Sequence, residues 1–265
     1  MYKAYYVFDR DREIPMKLPN LLLLLLLWLT TTLAHAESLI IAAAADLKFA
    51  MDEITAQFRL DHPEDQINVV YGSSGKIFTQ LQQDAPYDLF FSADISYPEQ
   101  LAQAGLAVST VTPYALGRIV LWSSQLDASA MTLQNLKDPA ITRIAIANPK
   151  HAPYGKRAEE ALRAAGLWDE VEDKLVYGEN IAQTAQFVQT GNAQIGIIAL
   201  SLALNPELAK DGKHYLIPDT LHQPLLQGYV ITRRAANKPL AKIFADFMES
   251  TPVKAVMDRY GFVRP

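Results

Sequence analysis

The chain has 265 residues, half of them hydrophobic, with no cysteine, a formal net charge of −5 at neutral pH and a sequence pI near 5.6. That balance excludes a nucleic-acid backbone as partner and gives no general steering of anions, so any anion site has to be local. The absence of cysteine removes disulfides, thiolate metal sites, a cysteine nucleophile and a lipid-anchor cysteine together.

The first 36 residues read as a leader outside the fold. From Met16 the sequence runs MKLPNLLLLLLLWLTTTLAHAES: one lysine, an unbroken apolar run from Leu21 to Leu29, then Ala34-His35-Ala36 in the small-x-small pattern of signal peptidase sites. A secretory signal peptide cleaved after Ala36 is expected. The run is short for a transmembrane span. Residues 1–15 fit no targeting pattern, and Met16 is the expected true start. Removing residues 1–36 takes away four Lys/Arg and three Asp/Glu and leaves a charge of −6.

From Ser38 the pattern alternates apolar strand, tight loop and amphipathic helix. SLIIAAAA reads as a strand buried on both faces. DLKFAMDEITAQFRL follows, with Leu47, Ala50, Met51, Ile54 and Phe58 at helical spacing and Asp46 at the N-cap position. Then come INVVYG (strand), SSGKIFTQLQQ (helix), YDLFFSAD (strand) and YPEQLAQAG (helix). After a looser stretch, VSTVTPYALG, the pattern restarts with RIVLWSS and TRIAIANPK as strands. The loop HAPYG precedes a helix KRAEEALRAAGLW, and KLVYG, QIGIIALS, YLIP and QGYVITRR read as further strands. The segment GENIAQTAQFVQTGN holds a loop and a helix, and two helices, KPLAKIFADFMES and TPVKAVMDRYGF, close the chain. This order specifies an α/β fold with mostly parallel sheets flanked by helices. The length suits one large domain or two lobes of about 100 residues each.

Ligands of open parallel sheets bind beyond the carboxyl ends of the strands. Four loops occupy that position, AAAADL, YGSSGK, NPKHAPYGK and VYGENIAQ, and each opens a helix. Helix N-termini carry unpaired N–H groups and a partial positive charge, so four converging ones would hold an anion without a formal cation.

Three readings compete for YGSSGK. A phosphate loop fails on spacing, because Val70 stands where the first glycine belongs and Ile77 where a Ser or Thr should follow Gly75-Lys76. A nucleophilic serine fails to match G-x-S-x-G, and none of His62, His151, His214 or His222 has a neighbouring motif that would make it a base. His62, His214 and His222 read as solvated, while His151 lies in a candidate site loop. No His, Asp or Glu pair shows metal-ligand spacing, and an enzyme is not expected. The third reading is an anion cradle. In it Ser74, with Ser73 beside it, offers hydroxyl and backbone N–H; the alternative is that both serines only cap a helix. Tyr154, next to Gly155, offers a phenol or is an ordinary interface aromatic. Ile181 offers backbone N–H or is core. A carboxylate would repel an anion, so Asp46 is expected to give its backbone N–H while its side chain caps the helix and turns away.

The ordered set AAAADLKFAMDEITAQF, YGSSGKIFTQLQQDAPYDLFFSAD, NPKHAPYGKRAEEAL, GENIAQTAQFVQTGNAQIGI and RYGF resembles the periplasmic molybdate-binding proteins of ABC importers, over nearly all of residues 38–265. The resemblance implies a type II periplasmic binding protein fold: two α/β lobes, 38–115 with 228–265 and 116–227, closing on a tetrahedral oxyanion. It implies ligand contacts at Ala45, Asp46, Ser74, Tyr154 and Ile181, with Ser73, Gly75, Gly155 and Ala199 behind them. Two positions depart from the family pattern: Asp46 stands for a serine, and Ala199 lacks the tyrosine some members carry, for which Tyr154 on the opposite wall would substitute. It further implies molybdate or tungstate as ligand, no cofactor, no direct protein–metal bond, a monomer in the periplasm, and a membrane permease as partner. A fully deprotonated dianion needs donors and no acceptors. About seven charge-assisted bonds, less closure and desolvation, would leave roughly micromolar to ten-nanomolar affinity. Sulfate fits the same donor logic, and it or another oxyanion stays open as ligand, as does an enzyme on the same scaffold.

Overall fold

The computed structural model describes residues 37–265 together with Met1 and Lys3. The leader expected over 1–36, its cleavage site and the start at Met16 fall outside those residues, Met1 and Lys3 apart. Residues 37–265 lie in one compact unit, and no helix among the described residues is long and apolar enough to cross a membrane.

Two five-stranded sheets carry the fold, in the orders β2-β1-β3-β10-β4 and β7-β6-β8-β5-β9. The first contains β1 (Ser38–Ala44), β2 (Gln66–Gly72), β3 (Leu89–Ser92), β4 (Thr112–Gly117) and β10 (Leu225–Ile231). The second contains β5 (Ile119–Ser123), β6 (Ile144–Ala147), β7 (Leu175–Gly178), β8 (Ile195–Ala199) and β9 (Lys213–Leu216). In each sheet one strand is reversed: β10 pairs antiparallel with β3 and β4, and β5 with β8 and β9. Strand β1 lies between β2 and β3 with Ile41 beside Leu89 and Val69. A strand covered on both faces needs apolar side chains on both, which is why SLIIAAAA shows no alternation.

The stretch VSTVTPYALG, read as loose, contains β4. Pro113 and Gly117 hid it, and an edge strand tolerates both. One residue, Arg118, separates β4 from β5, so the chain passes from one sheet to the other there and returns between β9 and β10. Its carbonyl accepts from the Leu200 amide at 2.9 Å and its guanidinium donates to the Gly261 carbonyl at 3.1 Å.

The helices follow in chain order: α1 (Lys48–Asp61), α2 (Ser74–Gln82), α3 (Ser96–Gln103), α4 (Pro153–Ala164), α5 (Trp168–Val171), α6 (Ile181–Gln189), α7 (Leu200–Ala203), α8 (Pro206–Asp211), α9 (Pro239–Met248) and α10 (Thr251–Arg259). Helix α1 buries Ala50, Met51, Ile54 and Phe58 along one stripe. The last helices pack on the first sheet, where Phe244 of α9 meets Phe58 and Phe91 edge-on at 5.1 and 6.4 Å between ring centroids. Aromatic edges against faces add to the area they bury.

Two helix starts differ from the sequence reading. Helix α4 begins at Pro153, so Tyr154 and Gly155 lie in its first turn rather than in a preceding loop; proline suits the first helical position because its missing N–H has no intrahelical acceptor to lose. A 3-10 turn over Ala45–Leu47 precedes α1, which puts Leu47 and not Asp46 at the N-cap, without a side-chain cap.

Candidate functional site

The carboxyl ends of β1, β2, β6 and β7 lead into the four loops that the sequence singles out, and the fold joins them across the line between the sheets. The Gly75 amide donates to the His151 carbonyl at 3.0 Å. Ser73 Oγ and His151 Nδ1 lie 2.9 Å apart. Lys76 forms an ion pair with Glu179, whose second oxygen is 3.9 Å from His151 Nε2. Helix α6, which starts at Ile181, packs against the 3-10 turn that carries Ala45 and Asp46.

Ser74 is fully buried at the first position of α2. Neither it nor Ser73 caps that helix: Ser73 holds the N-cap position without a side-chain bond to the helix, and Ser74 Oγ accepts from the Ala93 amide at 3.0 Å. A hydroxyl with its oxygen occupied in this way still has its own hydrogen to give. The Gly75 amide, by contrast, is spent on His151. There is no room beside it, since a Cβ at 75 would lie 2.7 Å from the His151 carbonyl oxygen and 2.9 Å from Tyr97 Oη.

At the start of α6 the Asn180 carboxamide accepts from Ala182 and Gln183 at 3.0 Å each, and the Thr184 amide returns to the Asn180 carbonyl. The Ile181 amide has no acceptor among the described residues. Ile181 is buried, as are Ala45 and Ala199, and Ala199 at the end of β8 offers no side-chain donor. Gly155 is also packed: a Cβ there would run into the Ala147 carbonyl.

Asp46 departs most from expectation. Its side chain does not cap α1 and does not turn out to solvent; the residue is 1% exposed. With the N-cap moved to Leu47, the carboxyl finds other donors. Tyr154 Oη donates to Oδ2 at 3.0 Å, and Gln227 Nε2 donates to the same oxygen at 2.8 Å and lies 3.0 Å from Tyr154 Oη. Tyr114 Oη holds the other end of Gln227 by donating to Oε1 at 2.7 Å, and Ser201 Oγ of α7 donates to the Asp46 carbonyl at 2.8 Å. Asp46 Oδ1 is buried and has no hydrogen-bond partner. Burial pushes the Asp46 carboxyl up to about 6, against the hydrogen bonds from Gln227 and Tyr154 and the weaker pull of the Asp46 and Leu47 backbone amides that hold it down. Burial, reinforced by the Asp46 charge, raises the Tyr154 and Tyr114 phenols well above the ordinary tyrosine value, so both are neutral donors.

The fold therefore brings Asp46, Ser73, Ser74, Gly75, Tyr154 and His151 to one seam, with α6 behind it. Sequence reasoning missed Gln227, Tyr114 and Ser201. Gln227 left one signal, a carboxamide inside the otherwise apolar strand LLQGYVI. The remaining histidines are less solvated than expected: His222 has a 2% exposed side chain with Nδ1 against the Gln223 carbonyl, His62 stacks on Phe58 at 4.2 Å, and burial lowers the His214 pKa. Burial also lowers that of His151, helped by Lys76 and opposed by Glu179.

What this geometry offers is a set of neutral donors, chiefly a serine hydroxyl and helix-start amides, beside one buried carboxyl. Residues 39–263 match the family model for bacterial extracellular solute-binding proteins. The chain belongs to that family. Among solute-binding relatives, the molybdate-binding protein of Azotobacter vinelandii is 35% identical over 231 residues, 86% of this chain and 91% of the relative. A putative ABC transporter substrate-binding lipoprotein of Bacillus subtilis is 32% identical over 85% of this chain and 86% of its own length. The solved structure of the Azotobacter vinelandii periplasmic molybdate-binding protein superposes with a TM-score of 0.80 at 29% identity, covering 86% of this chain and 99% of that one. The two sheets with helices on their faces are thus those of a periplasmic binding protein.

Proposed function

We propose that this solute-binding protein captures molybdate, and tungstate with it, between two lobes, and delivers it to the membrane permease of an ABC importer. The lobes are 38–115 with 228–265, and 116–227. The observation that carries the reading is Ser74: a fully buried hydroxyl whose oxygen is already occupied by the Ala93 amide and whose hydrogen remains to be given. A buried donor of that kind suits a ligand made only of acceptor oxygens. The ligand contacts are the Ser74 hydroxyl, the backbone of Ala45, Asp46 and Ile181, and the Tyr154 phenol once it is released from Asp46; Ser73, Gly75 and Gly155 set the walls. The similarity to molybdate-binding relatives supports the choice of oxyanion.

The protein acts by binding and not by turnover, as a monomer in the periplasm, reached through the signal peptide over residues 16–36. Oxyanion binding favours the state in which the seam is joined, and the permease reads that state.

Thermal melting of residues 37–265, dialysed free of oxyanions, tests the reading. A ligand at a thousand times its Kd stabilises by about 4 kcal/mol, which raises the Tm of a domain this size by roughly 8–16 °C. Molybdate and tungstate at about 1 mM are expected to give such shifts, with sulfate and phosphate far behind. A shift with phosphate and none with molybdate would refute the assignment.

A further inference from the structure

Asp46 sets a difficulty for any dianion bound at this seam. Its carboxyl accepts from Tyr154 of α4 and Gln227 of β10, Tyr114 of β4 holds Gln227 from behind, and Ser201 of α7 donates to the Asp46 backbone carbonyl. Both tyrosines, the titratable groups that face it, are neutral, and no cation among the described residues figures in setting its charge. An ionised Asp46 would stand uncompensated next to the bound charge in a desolvated site.

Counting hydrogens gives the same result. Tyr154 has one hydroxyl hydrogen, and in this structure it goes to Asp46 Oδ2. While it does, it cannot go to a ligand. Gln227 gives its amide hydrogens to Asp46 Oδ2 and Tyr154 Oη and accepts from Tyr114, so no further donor comes from that side. Oδ1 has no well-aligned hydrogen-bond partner, and only the Asp46 and Leu47 backbone amides near the carboxyl add to the bonds from Tyr154 and Gln227. Adding one proton to the carboxyl resolves both points: the negative charge disappears, and the site gains one hydrogen, given either by Asp46 itself or by the Tyr154 hydroxyl that Asp46 no longer needs.

We propose that the oxyanion is bound together with one proton taken from solvent and held on Asp46, so that Asp46 makes capture pH-dependent and selects for a ligand that needs only donors. The balance is one oxyanion plus one proton in, with no other bond made or broken. This rests on the oxyanion reading above and deepens it. The raised pKa of the carboxyl, about 6, is consistent with a proton that is easily recovered near neutral pH.

The experiment is calorimetric titration of residues 37–265 with sodium molybdate at several pH values, each in two buffers of small and large ionisation enthalpy, with Asp46→Asn in parallel. The wild type is expected to take up close to one proton per molybdate at about pH 8 and progressively less as pH falls toward about 5. Its affinity is expected to weaken about tenfold per pH unit between about pH 7 and 8.5. Asp46→Asn, which keeps the shape and carries an amide donor at every pH, is expected to bind with no proton uptake and a flat profile. Tight molybdate binding by the wild type without proton uptake would overturn the proposal and leave the oxyanion reading intact. Uptake that persists in Asp46→Asn would overturn it as well, by placing the proton elsewhere. No heat from molybdate at any pH would overturn the oxyanion reading, and the proposal with it.

Discussion

The Gly75 amide reaches the His151 carbonyl at 3.0 Å, joining the first turn of α2, which follows β2 of one sheet, to the loop that leads from β6 of the other into α4. A Cβ at position 75 would come within 2.7 Å of that carbonyl oxygen, which is backbone and cannot swing aside. Gly75→Ala is therefore expected to push the seam apart, lowering molybdate affinity by tenfold or more. The first sheet packs clusters of its own, and the second sheet's cluster takes in only Ala44, Ala45, Ala93 and Leu225 from the first, so the Tm without ligand should move by only a few degrees. Calorimetry and thermal melting of the same variant separate the two effects.

The Lys76–Glu179 ion pair crosses the same seam, but both side chains are about half exposed. Exposed pairs contribute about 0–1 kcal/mol and are screened by salt. Glu179→Gln should weaken molybdate binding by no more than about fivefold at low ionic strength and by nothing measurable at about 0.5 M salt. A large, salt-independent loss would mean that Glu179 has another role.

Ser74→Ala removes two things at once. The Ala93 amide loses its buried acceptor, which costs about 1–3 kcal/mol of stability, and the site loses a hydroxyl donor to a charged ligand, worth about 1.5–3 kcal/mol of affinity. The expected outcome is a lower Tm without ligand and a Kd raised by roughly ten- to a hundredfold. Unchanged affinity in a destabilised variant would make Ser74 purely structural.

Much of this arrangement is legible in the residues because it is local. The four helix-opening loops, the buried β1 and the stripe on α1 follow from periodicity and from residues a few positions apart. Ser74 could be singled out because small hydroxyls and glycines follow an apolar run. The direction of the Asp46 side chain was not legible, because its donors Tyr154 and Gln227 lie 108 and 181 positions away. Local chemistry alone argued for an N-cap, and a single 3-10 turn at Ala45–Leu47 moved that cap by one residue. Strand β4 escaped for a related reason: its pairing partner β10 is more than a hundred residues away, and Pro113 and Gly117 read locally as a loop.

Asp46 also leaves a signature on stability without any ligand. Burial lifts its folded pKa to about 6, above the ordinary aspartate value of 3.8, so the folded state holds the proton more tightly than the unfolded chain. The contribution is fully present below about pH 4, is lost as pH rises to about 6, and is flat above that. Its size is about 3 kcal/mol. The stability difference between wild type and Asp46→Asn, from urea unfolding at pH values from about 4 to 7, should shift by that order toward the variant. A difference independent of pH would mean that the carboxyl titrates normally.

Isothermal titration of residues 37–265, stripped of bound ligand, with molybdate and then with sulfate decides whether the seam between the sheets holds molybdate. One-to-one binding of molybdate at micromolar or tighter affinity with sulfate silent is expected; no heat from molybdate, or equal heat from sulfate, would overturn the assignment.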